Sequence, residues 1–403
     1  MRRLVILLGV LAAAAVPVPA SADVPKLPSS QNDACMPAPT GSETGVPWAQ
    51  KQLAPERVWP MTDGAGITVA VVDSGVDAHT PQLAGTTVLP GVDVTTDDQS
   101  PADNDCYGHG TFVAGILAAQ AQQGTGFVGV APGVTILPIR CATSVGDEGP
   151  GVLTPQLMAE GIRAAVDGGA QVINISASTT EANGELEAAV DYAAQHDIVL
   201  VASAANRAED GNQATYPASY PSVIAVGAVD STGARAEFSE SGPYVSLVAP
   251  GVDVVSLGPS GPGQWQGSGT SYAAPFVAGA AALVRAYHPE LTAPQIKHRL
   301  EATANRPPTE VPDQGLGWGT VNIMAAVTAV LPEESAGTAD KMVAPPAAKA
   351  PNIQPPDELG PLLSVLVVVL AAALVFGLVW FSRLYSAARK RGRRRSVTPD
   401  STT

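Results

Sequence analysis

The sequence predicts an α/β fold in which a parallel β-sheet is covered by helices on both faces. From Ile67 to Val330 short β-branched runs alternate with longer helical patterns, the rhythm of strand–helix–strand units. About 270 residues in that stretch suffice for one large core, and no internal repeat divides it. The run Ile67-Thr68-Val69-Ala70-Val71-Val72 ends abruptly in Asp73-Ser74-Gly75. That pattern puts Asp73 at the carboxyl end of a buried strand, where ligands bind in open parallel sheets.

Further strands are predicted over Val134–Ile139, Gln171–Ile175, Ile198–Ala202 and Val223–Val226. Helices are predicted over Thr111–Ala121, Gln156–Asp167, Gly184–Gln195, Ser271–Tyr287 and Ala293–Ala302. Two glycines flank His109 in Asp105-Cys106-Tyr107-Gly108-His109-Gly110-Thr111, which lets the backbone pass close to a neighbour and leaves the imidazole accessible. Ser271 lies in Gly269-Thr270-Ser271-Tyr272-Ala273-Ala274-Pro275, at the mouth of a helix rich in small apolar residues. Unpaired N–H groups and the positive end of the helix dipole favour negative charge there. Taken singly, an acid, a histidine and a serine at element ends are ordinary structural features, and a serine at a helix start is an ordinary N-cap. Three of them, each at an element end, point to a shared proton relay.

These segments resemble the subtilisin-like serine proteases, whose chain order of catalytic residues is Asp, His, Ser. The strand Val199-Leu200-Val201-Ala202-Ser203, running on to Asn206, agrees with the family's oxyanion-hole asparagine. The resemblance covers residues 48 to 330. It implies a subtilisin-like fold and a serine endopeptidase with Asp73, His109 and Ser271 as catalytic residues and Asn206 in the oxyanion hole. It also implies a substrate strand at Ser176, Ala177 and Ser178; no cofactor and no metal are expected at the site, and bound calcium elsewhere is left open. Ser178 and Thr179 stand where this family usually has glycines, so the pocket is expected to be crowded and its preference narrow. Pro47-Trp48-Ala49-Gln50, Trp59, Gly64-Ala65-Gly66 and Asp105-Cys106 are similar to the mycosins, membrane-anchored subtilases of type VII secretion. That narrower resemblance implies a type VII secretion membrane complex as partner, beside a protein or peptide substrate.

The ends of the chain suit such a placement. Arg2 and Arg3, an apolar run from Leu4 to Val16 and Ala20-Ser21-Ala22 read as a signal peptide over residues 1–22. Residues 23–60 form a Pro-rich extension, too short for a folded prosegment, that the mycosin resemblance implies wraps the catalytic domain at 61–331. An Ala/Pro-rich tether follows at 332–361. Residues 362–382 carry Ser364 as their only polar side chain as far as Phe381 and are long enough to span a bilayer once as a C-terminal transmembrane helix. The basic tail at 383–403 then belongs in the cytoplasm. No Leu-Pro-x-Thr-Gly motif precedes the span, which favours a retained anchor over a sorted one.

Of 22 basic residues, two lie in the signal peptide and seven follow the span, whereas 36 of 37 acids fall between, leaving the exported part at −23. That charge disfavours nucleic acid and anionic lipid as partners. An exported chain permits disulfides, and among Cys35, Cys106 and Cys141 the expected bond is Cys35–Cys106, stapling the extension beside His109. Cys106–Cys141 is the competing pair. The three spacings match no zinc pattern, and Asp73, Asp77 and His79 lack an evident further metal ligand.

Overall fold

Seven parallel strands run through the centre of the computed structural model, which describes residues 24–28, 35–143 and 153–334. The expected signal peptide, membrane span and basic tail lie outside the described residues, as does the tether beyond residue 334. No helix among the described residues is long and apolar enough to cross a membrane.

In chain order the elements are α1 Trp48–Leu53, β1 Thr68–Asp73, β2 Val92–Asp93, α2 His109–Ala118, β3 Thr135–Arg140, α3 Pro155–Asp167 and β4 Val172–Ile175. There follow α4 Gly184–Gln195, β5 Val199–Ser203, β6 Ile224–Val229, β7 Val245–Pro250, β8 Val254–Leu257 and β9 Gln264–Gly267. The last three helices are α5 Thr270–Tyr287, α6 Ala293–Ala302 and α7 Ile323–Thr328. The sheet order is β2-β3-β1-β4-β5-β6-β7, and β8 and β9 form a separate antiparallel pair.

The strands are buried on both sides, which is why their sequences are apolar throughout instead of alternating. Val69 and Val71 of β1 join one core with α2 and α5, while Ala70 and Val72 join the other with α3 and α4. The same division recurs in β5, with Val199 and Val201 on one side and Leu200 and Ala202 on the other. Helices therefore cover both faces. Helix α5 fits deep in the first core because its residues are small: a Cβ on Gly279 would lie 2.8 Å from Val130.

From β1 the chain builds β2 and β3 on one side and then returns to place β4 on the other. That reversal opens a crevice at the carboxyl ends of β1 and β4, the position where such sheets hold ligands. The described parts of the extension lie along β9: Lys26 bridges Gln266 and Gly41 bridges Gln264, with Leu27 N–H donating to the Gln266 carbonyl at 2.7 Å. At the opposite, amino edge of the sheet, Lys297 of α6 donates to the carbonyls of Pro221 and Val223, both at 2.7 Å. Two residues on, Arg299, 2% exposed, donates to the carbonyls of Ala326 and Ala329 and grips the Glu334 carboxylate.

Helices α4 and α6 have the predicted limits, and the five predicted strands all form with shifts of a few residues at their ends. Helix α2 starts at His109 instead of Thr111, because Asp105 binds the free N–H groups of its first turn (below). The extension at 23–60, for which no element was predicted, contains α1, whose six residues are too few to leave a periodic pattern. Strands β2, β7, β8 and β9 were not expected. Two residues of β2 carry no pattern, and Gln264-Trp265-Gln266-Gly267 lacks β-branched residues altogether.

Candidate active site

Three of the sequence-predicted residues converge because each sits where an element meets the crevice. Asp73 is the last residue of β1, His109 the first of α2 and Ser271 the second of α5. The Asp73 and His109 turns touch through glycine. A Cβ on Gly110 would lie 2.0 Å from the Gly75 carbonyl oxygen, and Gly75 itself has φ +103°. No other residue fits both demands.

The Asp73 carboxylate faces Nδ1 of His109 with both oxygens, at 2.7 and 2.9 Å, and its Oδ1 also accepts from Ser74 N–H at 2.8 Å. Both side chains are nearly sealed, at 4% and 11% exposure. Desolvation pushes the imidazole pKa down, but the charge and hydrogen bond of Asp73, with the charge of Asp105 behind, outweigh it, so the net direction is up. An imidazole held this way is orientated with Nδ1 protonated and Nε2 available as a base.

Asp105 is a residue that sequence reasoning left without a role. Its Oδ1 accepts from Ser74 Oγ (3.0 Å), Tyr107 N–H (3.0 Å) and Gly108 N–H (2.8 Å). Its Oδ2 accepts from Thr111 N–H (2.9 Å) and Thr111 Oγ1 (2.7 Å). One carboxylate thus ties the turn before His109 to the first turn of α2 and to the residue after Asp73. Burial pushes its carboxyl pKa up, against the pull of the Thr111 and Gly108 donors. The Cys35–Cys106 disulfide forms, and Met36 N–H donates to the Cys106 carbonyl at 2.7 Å, so the extension is fastened to this same turn. Cys141 is free and buried, its N–H on the Asp73 carbonyl at 2.8 Å.

Ser271 is fixed by Ser176, the residue that follows β4. Pro275 has no N–H, so the Ser271 carbonyl lacks the partner a regular helix would supply. Ser176 Oγ supplies one at 2.7 Å, and is itself held by Asn174 Nδ2 at 2.9 Å. The Ser271 hydroxyl donates to the Ser176 carbonyl at 2.9 Å. Ser176, expected to touch substrate, thus also braces the serine turn through its side chain. Next along α5, the Tyr272 ring packs against His109 (centroids 5.4 Å apart) and Phe112 (4.4 Å), backing the imidazole.

Asn206 follows β5 and is orientated by Thr270. Its Oδ1 accepts from Thr270 N–H at 2.8 Å and Thr270 Oγ1 at 2.9 Å, while that hydroxyl accepts from Ala205 N–H at 3.1 Å. With Oδ1 engaged, the amide nitrogen is the free donor end, beside the N-terminus of α5. Asp73, His109, Ser271 and Asn206 all line one cleft of about 480 Å³, walled by Ser176, Ala177, Ser178 and Thr179. Thr179 pairs its backbone with Tyr216 in both directions, at 2.9 and 2.8 Å, so that wall is part of a bridged loop. Glu240, which the sequence did not single out, lies on the same cleft.

The other histidines stand apart from the cleft. His79 is exposed beside Asp77, whose Oδ2 accepts from Ser260 N–H. His196 pairs with the Tyr192 carbonyl, His288 with the Val327 carbonyl and His298 with Glu333. Among the described residues no group of three or more His, Cys, Asp or Glu could hold a metal ion.

An acid-bound imidazole and a serine at a helix mouth on one cleft, all carried by a parallel sheet, define a serine hydrolase of the subtilisin type. The chain belongs to the subtilase family (Peptidase S8), whose model matches residues 64–319, and is a serine endopeptidase. Within the family it is similar to Mycosin-4 of Mycobacterium tuberculosis (strain ATCC 25618 / H37Rv), with 38% identity over 374 residues, 82% of this chain and 80% of that protein. Among solved structures it resembles MycP1 from the ESX-1 type VII secretion system, at 31% identity and TM-score 0.65, over 78% of this chain and 94% of that one. It also resembles a chain of an intact ESX-5 inner membrane complex, at 30% identity and TM-score 0.64, over 90% of this chain and 97% of that one.

Proposed function

We propose that this chain is a membrane-anchored, extracytoplasmic endopeptidase of the mycosin type that serves type VII secretion, with Asp73, His109 and Ser271 as its catalytic residues. The observation that carries the reading is the grip of Asp73 on His109 Nδ1, at 2.7 and 2.9 Å, with Ser271 on the same cleft. His109 takes the proton of the Ser271 hydroxyl as the oxygen attacks a peptide carbonyl, then delivers it to the leaving amine. Water hydrolyses the resulting acyl-enzyme by the same relay in reverse. Asp73 holds the tautomer and stabilises the imidazolium. The Asn206 amide and the Ser271 N–H receive the oxyanion. To react, the Ser271 hydroxyl leaves the Ser176 carbonyl, its partner in this structure, and turns to His109 Nε2. That carbonyl is then free for a substrate N–H.

The membrane placement is supported by the apolar stretch at 362–382, the basic tail at 383–403, the leader at 1–22 and the tether at 332–361. The extension at 23–60 is then a clamp on the catalytic domain at 61–331. Side chains on Ser178 and Thr179 favour narrow specificity. Fluorophosphonate labelling of the detergent-solubilised full-length protein tests the nucleophile: labelling that persists in Ser271→Ala would sink the assignment.

A second reading, chiefly structural work within the secretion machinery, is favoured by the likeness to a chain of the ESX-5 complex over 90% of this sequence. Secretion that survives Ser271→Ala but fails on deletion of the whole protein selects this reading. Failure in both cases selects proteolysis.

A further inference from the structure

The cleft holds an acid that hydrolysis does not use. Glu240, 1% exposed, lines it with Thr180, Arg207 and Thr215, and also lines a smaller adjoining recess with Asp210 and Gln213. Its place is fixed from the active-site side, because Glu240 N–H donates to the carbonyl of Ala205, the residue before Asn206, at 3.1 Å. The Ser176–Thr180 and Ala205–Arg207 segments that flank Ser271 line this same cleft, so a substrate side chain next to the attacked carbonyl shares it with Glu240.

We propose that Glu240 sets the specificity of the cleft by selecting a cationic side chain, Lys or Arg, on the substrate residue whose carbonyl is attacked. This deepens the Ser271 reading and rests on it. A carboxylate offers about four acceptor positions. Those of Glu240 meet the Tyr244 hydroxyl, at a long 3.3 Å, and the Arg207 backbone N–H, leaving capacity for an ammonium or guanidinium. Desolvation already holds the Glu240 carboxyl above the usual range, so sealing an apolar side chain over it adds a further cost, whereas a cation offsets the cost. The Arg207 charge also bears on Glu240. Arg207 and Asp210 on the same recess are both exposed, however, so water screens their opposite charges alike. The intervening lining is hydroxyl-rich, with Ser178, Thr179, Thr180 and Thr215, and suits a polar stem tip better than an aromatic ring.

The test compares two peptidyl diphenyl phosphonates that differ only in Lys or Leu at the reacting position. Second-order labelling rates are measured on detergent-solubilised full-length protein, with Ser271→Ala as the control. Lys is expected to react faster by about 10- to 100-fold, the range of one charge-assisted hydrogen bond, and Glu240→Gln to cut that ratio at least tenfold. Leu reacting as fast as Lys, or a ratio unchanged in Glu240→Gln, overturns this inference while leaving Ser271 in place. Absence of Ser271-dependent labelling by either probe overturns both. Should Glu240→Gln fail to fold, the wild-type ratio alone decides.

Discussion

Replacing Thr270 by Val isolates the device that aims Asn206. The substitution keeps the Thr270 backbone N–H on Asn206 Oδ1 at 2.8 Å, but removes the side-chain donor at 2.9 Å and the acceptor that serves Ala205 N–H at 3.1 Å. Thr270 is fully buried, so the orphaned Ala205 N–H costs about 1–3 kcal/mol of stability. The catalytic cost follows from Asn206 itself. Removing one oxyanion donor in subtilisin, a relative and the standard example, lowers turnover about 10²–10³-fold. A donor left in place but loosened at one of two anchors should lose only part of that. The expected order of fluorophosphonate labelling rates on full-length protein is therefore wild type, then Thr270→Val about tenfold slower, then Asn206→Ala about 10²–10³-fold slower. A Thr270→Val protein that melts lower but labels within twofold of wild type would refute the orientating role and leave only packing.

Because His109 must be neutral to act as a base and its pKa is raised, the acid limb of the labelling rate should fall at a pH above the ordinary imidazole value of about 6.5. Asp73→Asn should move that limb to lower pH and slow the reaction on the order of 10⁴-fold; a limb that stays put would contradict the Asp73 origin of the shift. In stability terms the sign is opposite: the raised His109 pKa stabilises the fold fully below the unfolded value of about 6.5 and is lost as pH rises through the folded pKa. Reducing the Cys35–Cys106 bond, which closes a separation of 71 residues, should cost at most about 4 kcal/mol, read as a lower Tm with dithiothreitol; an unchanged Tm would mean the extension is not a clamp. Gly110→Ala would place a Cβ 2.0 Å from the Gly75 carbonyl, and should abolish labelling even where soluble protein is recovered, whereas Gly184→Ala, which meets nothing within 4 Å, should not.

The sheet was legible because β1, β4, β5 and β6 each concentrate apolar residues into runs that end in a polar residue. Asp73, His109 and Ser271 were legible because each sits at such an ending, beside glycine or a small-residue helix. The supporting layer was not. Asp105 works through five bonds to residues from 74 to 111, and no local pattern distinguishes it from an acid in a solvated loop. Thr270 and Glu240 bond to Asn206 and Ala205, distant in sequence, so these pairings exist only once the start of α5 and the loop between β6 and β7 pack against the end of β5. Strand β9 pairs with β8 and the extension through backbone groups, and its Gln-rich sequence gives no hydrophobic signal.

The Arg299 fork sits at the amino edge of the sheet, close to the Lys297 contacts with Pro221 and Val223, whereas Asp73 ends β1 and Asn206 follows the carboxyl end of β5. Glu334, the last described residue, is therefore held on the side of the sheet remote from the cleft. A pull on Glu334 is borne first by the sealed Arg299 guanidinium and the Ala326 and Ala329 carbonyls that it holds, not by the turns that carry Asp73 and His109.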